Sequence, residues 1–109
     1  MVSTNTDVFF HMANLYPKHT GLPFVVWISV KGGARHDARV KVSLHSKAQP
    51  DELISVAIRP EIRVVEGTMS QEHLAALTEW IELNREMLLQ YWNGDIDTVD
   101  AVSMILKVR

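Results

Sequence analysis

The side chains best equipped to bind something are basic, and they gather in one stretch. From Lys31 to Lys47 the chain reads K-G-G-A-R-H-D-A-R-V-K-V-S-L-H-S-K. Strand alternation from Ala38 to His45 would put Arg39, Lys41, Ser43 and His45 on one face, and Ala38, Val40, Val42 and Leu44 on the other. Lys31 and Arg35 would flank a turn at Gly32 and Gly33. A ribbon made of Lys31, Arg35, Arg39, Lys41 and His45 can follow a phosphate backbone, each contact releasing counterions. The paired glycines also expose backbone N–H groups that suit an anion. The competing readings are an ordinary Gly-Gly hairpin turn and a solvated face, or one that meets the acidic side of a partner. Phe24 and Trp27 are the nearby aromatics, and both are expected to be buried, so base stacking is poorly served.

Other chemistry has less to stand on. The five histidines, His11, His19, His36, His45 and His73, show no H-x-H, H-x-x-x-H or H-E-x-x-H spacing. No metal site and no cofactor are therefore assigned. There is no G-x-S-x-G and no serine with a compelling local partner, and the absence of cysteine removes thiol chemistry, disulfides and cysteine-based zinc sites. Glu79, Glu82 and Glu86 are carboxylates on a solvated helix face, not an acid–base pair. No catalytic residue is nominated, and an enzyme with an unrecognised site ranks third among the functional readings.

The elements that would position the basic ribbon follow from hydrophobic period. Phe24 to Lys31, F-V-V-W-I-S-V-K, is apolar on both faces and reads as a central strand. It pairs antiparallel with Ala38–His45. Leu53–Arg59 is a third strand, ended by Pro60, and Ile62–Val65 is a fourth or its continuation. Residues 7–15 fit either a short strand or a short helix, and Tyr16–Pro23 reads as a loop. Ser70 to Gly94 reads as one long amphipathic helix: Leu74, Leu77, Ile81, Leu88 and Tyr91 form a stripe widened by Trp80, Met87 and Trp92. Ser70 suits the N-cap and Gly94 the left-handed C-terminal position. Glu82 and Glu86 flank Arg85 at a spacing that permits ion pairs. Asp97 or Thr98 would cap a short last helix with Val99, Val102 and Ile105 or Leu106 turned inward. The expected fold is a single α+β domain over residues 1–109: a mainly antiparallel sheet of three or four strands, the long helix across one face and the short C-terminal helix beside it.

Asn84 interrupts the apolar stripe. It reads as a buried amide bonded to backbone, or as a polar anchor at a self-association seam. Trp80 and Trp92 read as core or interface.

Length and composition bound the class. At 109 residues with 47% hydrophobic residues, the chain suits one ordinary globular domain. The net charge of −2 hides an asymmetry. Residues 1–47 hold six Lys and Arg against Asp7 and Asp37; residues 66–109 hold eight Asp and Glu against Arg85, Lys107 and Arg109. No apolar run approaches the ~18 residues of a membrane span, and the opening M-V-S-T-N-T-D lacks the basic patch of a signal peptide. A cytoplasmic location and no membrane contact are expected.

The helix also carries a resemblance. W-I-E-L-N-R-E-M-L-L-Q-Y-W (Trp80 to Trp92) resembles the C-terminal part of a family of small bacterial proteins of unknown function, whose pattern W-x-x-x-[HN]-R-x-x-L-x-x-x-W is matched by Trp80, Asn84, Arg85, Leu88 and Trp92, after Gly67. The likeness covers the C-terminal third. That family usually has H-x-P-P-H-F-H near its start; here Y-P-K-H-T-G-L-P-F stands instead, with His19 alone, so no histidine site carries over. Relatives placed near toxin–antitoxin genes would imply a regulatory role by association. The expectation is an interaction or regulatory module that self-associates or binds a protein partner, with the basic hairpin as recognition surface. The runner-up is an antitoxin-like nucleic-acid-binding component.

Overall fold

The computed structural model describes residues 12–44 and 53–108. Five strands, β1 (Met12–Leu15), β2 (Val25–Ser29), β3 (Arg39–Ser43), β4 (Ile54–Ala57) and β5 (Arg63–Glu66), form one sheet in sequence order, each antiparallel to its neighbour. The class is α+β, as expected. The sheet has one strand more than anticipated, because Met12–Leu15, which fitted strand and helix equally, pairs along β2. Residues 7–11 lie outside the described part.

Register turns the strand patterns into a core. Ala13, Ile28, Val40, Val56 and Val64 stand opposite one another across all five strands, and Leu15, Val26, Val42 and Ile54 form a second row. Both rows belong to the apolar cluster that includes Leu77, Trp80, Ile81, Leu88 and Tyr91 of the helices. The other face carries Asn14, Trp27, Lys41, Ser55 and Glu66 in one row and Arg39, Ala57 and Arg63 in another. A bulge between Ser55 and Val56 admits one extra β5 residue.

The expected long helix is two helices, α2 (Gln71–Leu83) and α3 (Arg85–Asn93), after a single turn, α1 (Pro17–Thr20), near the start. Ser70 caps α2, its hydroxyl accepting from the His73 N–H, and Gly94 closes α3 at φ 81°. The break is Asn84, at φ −114° and ψ 17°. Its amide is buried and fully occupied: Nδ2 donates to the carbonyls of Trp80 and Leu106, both at 3.0 Å, and Oδ1 accepts from the Leu106 N–H at 2.8 Å. Periodicity saw the stripe but could not see that the residue interrupting it serves a segment 22 positions away.

Two further expectations are corrected. Arg85 makes no ion pair with Glu82 or Glu86; its Nη1 donates to the Ile58 carbonyl at 3.1 Å. In the last helix, α4 (Thr98–Met104), Asp97 is the cap and Ile105 beyond it packs inward as expected, but Ala101 is the buried residue, while Val99, Val102 and Leu106 are exposed. The Tyr91 hydroxyl meets Thr98 Oγ1 at 2.9 Å, which sets the rotation of α4 from its first turn.

The tail then closes the domain. The Val108 N–H donates to the Thr20 carbonyl at 2.9 Å. It passes so close to Gly21 (φ 81°) that a Cβ there would overlap the Val108 carbonyl. Gly21→Ala combines that clash with a left-handed backbone and is expected to cost about 1–3 kcal/mol, read as a lower urea midpoint with unchanged slope. Asn84→Leu strands the Leu106 backbone groups and is expected to destabilise by about 1–3 kcal/mol without changing the sedimentation coefficient.

Candidate interaction surface

The turn between β2 and β3 projects Lys31, Gly32, Gly33, Arg35, His36 and Asp37 into solvent. Exposed turns are ordinarily loose, but this one is braced at four points. The Lys31 N–H donates to the Trp92 carbonyl at 2.8 Å, and the Ala34 N–H to the Lys31 carbonyl at 2.8 Å. The His36 ring stacks on Trp92, with centroids 5.7 Å apart and planes 27° from parallel. Asp37 takes both Arg59 Nε at 2.8 Å and Nη2 at 3.0 Å, and its Oδ1 accepts from the Ala38 N–H. Buried Trp92 is thus the platform for the turn, by its ring and by its carbonyl.

Charge at this end is lopsided. Lys31, Arg35, Arg39 and Arg59 stand against the one carboxylate of Asp37, which Arg59 already engages. Among the described residues Arg59–Asp37 is the sole ion pair. Lys31, Arg35, Arg39, Lys41 and Arg63 have no carboxylate partner there. Arg39 and Lys41 are half-buried on the sheet face away from the helices, while Lys31 and Arg35 are exposed at the turn. His45 lies outside the described residues, so its place in the ribbon is not described.

Register adds two cations that sequence reading missed. Arg63 shares the row of Arg39, with Ala57 between them; at about 4.8 Å per strand their backbones are roughly 10 Å apart. Arg59 neutralises Asp37, which otherwise would oppose an incoming anion. Nothing in the local sequence signals either role, because both depend on how β4 and β5 align with β3.

The remaining nominees separate. Trp80, Asn84 and Trp92 are buried in the helical layer. His19 Nδ1 accepts from the Tyr16 N–H in the α1 turn, and His73 packs its ring edge-on to Phe24. With His36 on Trp92, the three described histidines serve three separate places. Among the described residues no three His, Asp or Glu side chains gather as a metal site. An open groove of about 420 Å³ runs along α2 past Gln71, Leu74, Ala75, Thr78, Glu79 and Glu82, and both of its carboxylates are exposed. No helix of the described residues is long and apolar enough to cross a membrane.

The architecture is that of a small antiparallel meander under a helical layer, with a braced basic turn at one hairpin. A family model for a domain of unknown function, DUF4160, matches residues 37–93. The chain belongs to that family. The match begins at the foot of the basic turn and ends in α3, so the likeness spans the middle of the chain rather than its C-terminal third alone. No curated protein and no solved structure matches.

Arg59 holds the Asp37 carboxyl below the usual aspartate range, first through its hydrogen bonds, with the Ala38 N–H next. A depressed carboxylate pKa contributes stability above the unfolded pKa and loses it as pH falls through the folded one. Asp37→Asn is therefore expected to lower the melting temperature slightly at neutral pH. The difference from wild type should shrink in acid, once the pH passes below the usual aspartate range.

Proposed function

We propose that the chain is a small bacterial, cytoplasmic interaction module of regulatory type, and that the hairpin face is its recognition surface for an anionic partner. The observation that carries this reading is a largely exposed turn braced on Trp92, next to cations that no carboxylate of the described residues engages. Ordered exposed loops lose little entropy on binding, and unpaired cations retain their attraction for a partner. Self-association fits the same charge division, because the hairpin face of one copy is opposite in sign to the α2 carboxylates of another.

A nucleic-acid partner is the second reading. It is favoured by the row arrangement: Arg39 and Arg63 straddle Ala57, and Lys41 lies in the next row. Repeated cations on a firm surface suit a repeating phosphate backbone.

Fluorescence anisotropy separates the two. Random single-stranded and duplex nucleic acid would be compared with poly-glutamate at about 50 and about 200 mM salt. Micromolar nucleic-acid binding that falls steeply with salt and disappears in Arg39→Glu/Lys41→Glu supports the second reading. Poly-glutamate binding alone, lost in the same variant, supports a protein partner. Binding of neither polyanion at the lower salt removes the hairpin face as a recognition surface.

A further inference from the structure

The sheet is open at both ends, because β1 and β5 each have one neighbour. An open edge presents unpaired N–H and C=O groups, and proteins ordinarily blunt it with charge, proline or a bulge. β5 is blunted in this way: a bulge falls within its pairing, Arg63 and Glu66 are exposed, and Pro60 precedes it. β1 carries none of these devices. It reads M-A-N-L, without charge or proline, and pairs with β2 without a break in register.

The hydrogen-bond phase shows what this edge offers. The Ile58 N–H donates to the Ala38 carbonyl at 3.2 Å, which makes Ala38 and Ile58 a hydrogen-bonded pair. Bonded and non-bonded pairs alternate along antiparallel strands. Val40 and Val42 therefore also turn their backbone groups to β4, while Arg39, Lys41 and Ser43 turn theirs to β2, and Val26 and Ile28 turn to β1. Their partners there are Leu15 and Ala13, which leaves the backbone groups of Met12 and Asn14 directed off the edge. No hydrogen bond among the described residues engages them. The open edge stops at Tyr16, whose N–H donates to His19 Nδ1 and whose carbonyl accepts from His19 and Thr20.

We propose that β1 pairs antiparallel with β1 of a second copy, about a two-fold axis through Ala13. Met12 then lies opposite Asn14 of the other copy, and every outward group of both residues is bonded. Three features select a second copy over a foreign strand. The residue that meets its own equivalent is alanine, at a non-hydrogen-bonded position where Cα atoms come within about 4.5 Å. The strand is uncharged, so it meets itself without repulsion. Ala13 and Leu15 are buried, so a foreign strand finds little to read, whereas exposed Asn14 lies diagonal to Asn14 of the second copy and an amide both donates and accepts. An axis normal to the sheet keeps both helical layers on one side and both faces bearing Arg39 and Lys41 on the other. The two β3 strands would stand five strand spacings, roughly 24 Å, apart. This contact does not involve the hairpin turn, so it stands whether or not that turn binds polyanions.

Sedimentation equilibrium of the full chain tests it. The chain should dimerise with a micromolar dissociation constant, little changed between about 50 and about 200 mM salt because the new bonds are uncharged. Asn14→Pro removes an outward N–H and leaves the β1–β2 ladder intact, as edge strands permit. It should weaken the dimer about tenfold or more while the melting temperature of the dilute monomer holds, which separates lost pairing from lost folding. Asn14→Lys and Asn14→Asp should each weaken it through like-charge repulsion, and an equimolar mixture of the two should restore it. Arg39→Glu/Lys41→Glu should leave it unchanged. A monomeric wild type overturns the proposal, as does a dimer that survives Asn14→Pro or a charge mixture that stays monomeric. A dimer dissociated by salt or by Arg39→Glu/Lys41→Glu assigns the contact to the hairpin face and overturns it too.

Discussion

A single buried amide holds the helical layer in its shape. Asn84 cannot leave its three hydrogen bonds without stranding the Leu106 backbone groups, at about 1–3 kcal/mol in all. It therefore fixes three things together: where α2 ends, the direction in which α3 departs, and where the tail returns. The direction of α3 decides where Trp92 stands, and Trp92 decides the posture of the β2–β3 turn. A polar residue on an apolar stripe thus reaches, through packing, to a loop on the surface.

What could be read from the sequence was what repeats locally. The alternation of Arg39 to Ser43, the apolar run of β2, the Ser70 and Asp97 caps and the Gly94 terminus all have causes within a few residues, and each stands where it was expected. Four features depended on distant partners and were not legible. Asn84 breaks the helix because Leu106 needs it; Arg85 ignores its glutamates because the Ile58 carbonyl is in reach. α4 is rotated by Tyr91, so that alanine, not valine, faces inward. Arg63 joins the basic face through register across two strands.

The hairpin shows how one residue can be both core and foundation. Trp92 is buried, yet its ring carries His36 and its carbonyl holds Lys31. Asp37 would weaken a basic surface if left alone; bound to Arg59 it becomes a strut between β3 and the end of β4 instead. The turn keeps its positive character because its one carboxylate is engaged within the fold, while Glu66 stands at the far side of the same sheet face, two strands from Lys41.

The strand order has a meaning for how the chain assembles. Every strand pairs with its neighbour in sequence, so each step of the sheet closes only the loop to the strand before it, and short closures cost little entropy. Folds rich in such contacts form quickly. The exception is the tail, which must cross from the far end of the chain to reach Thr20 and Gly21. A ribosome would therefore release a sheet able to zip as it emerges, while the latch that locks it arrives only after all five strands and the helices have been made.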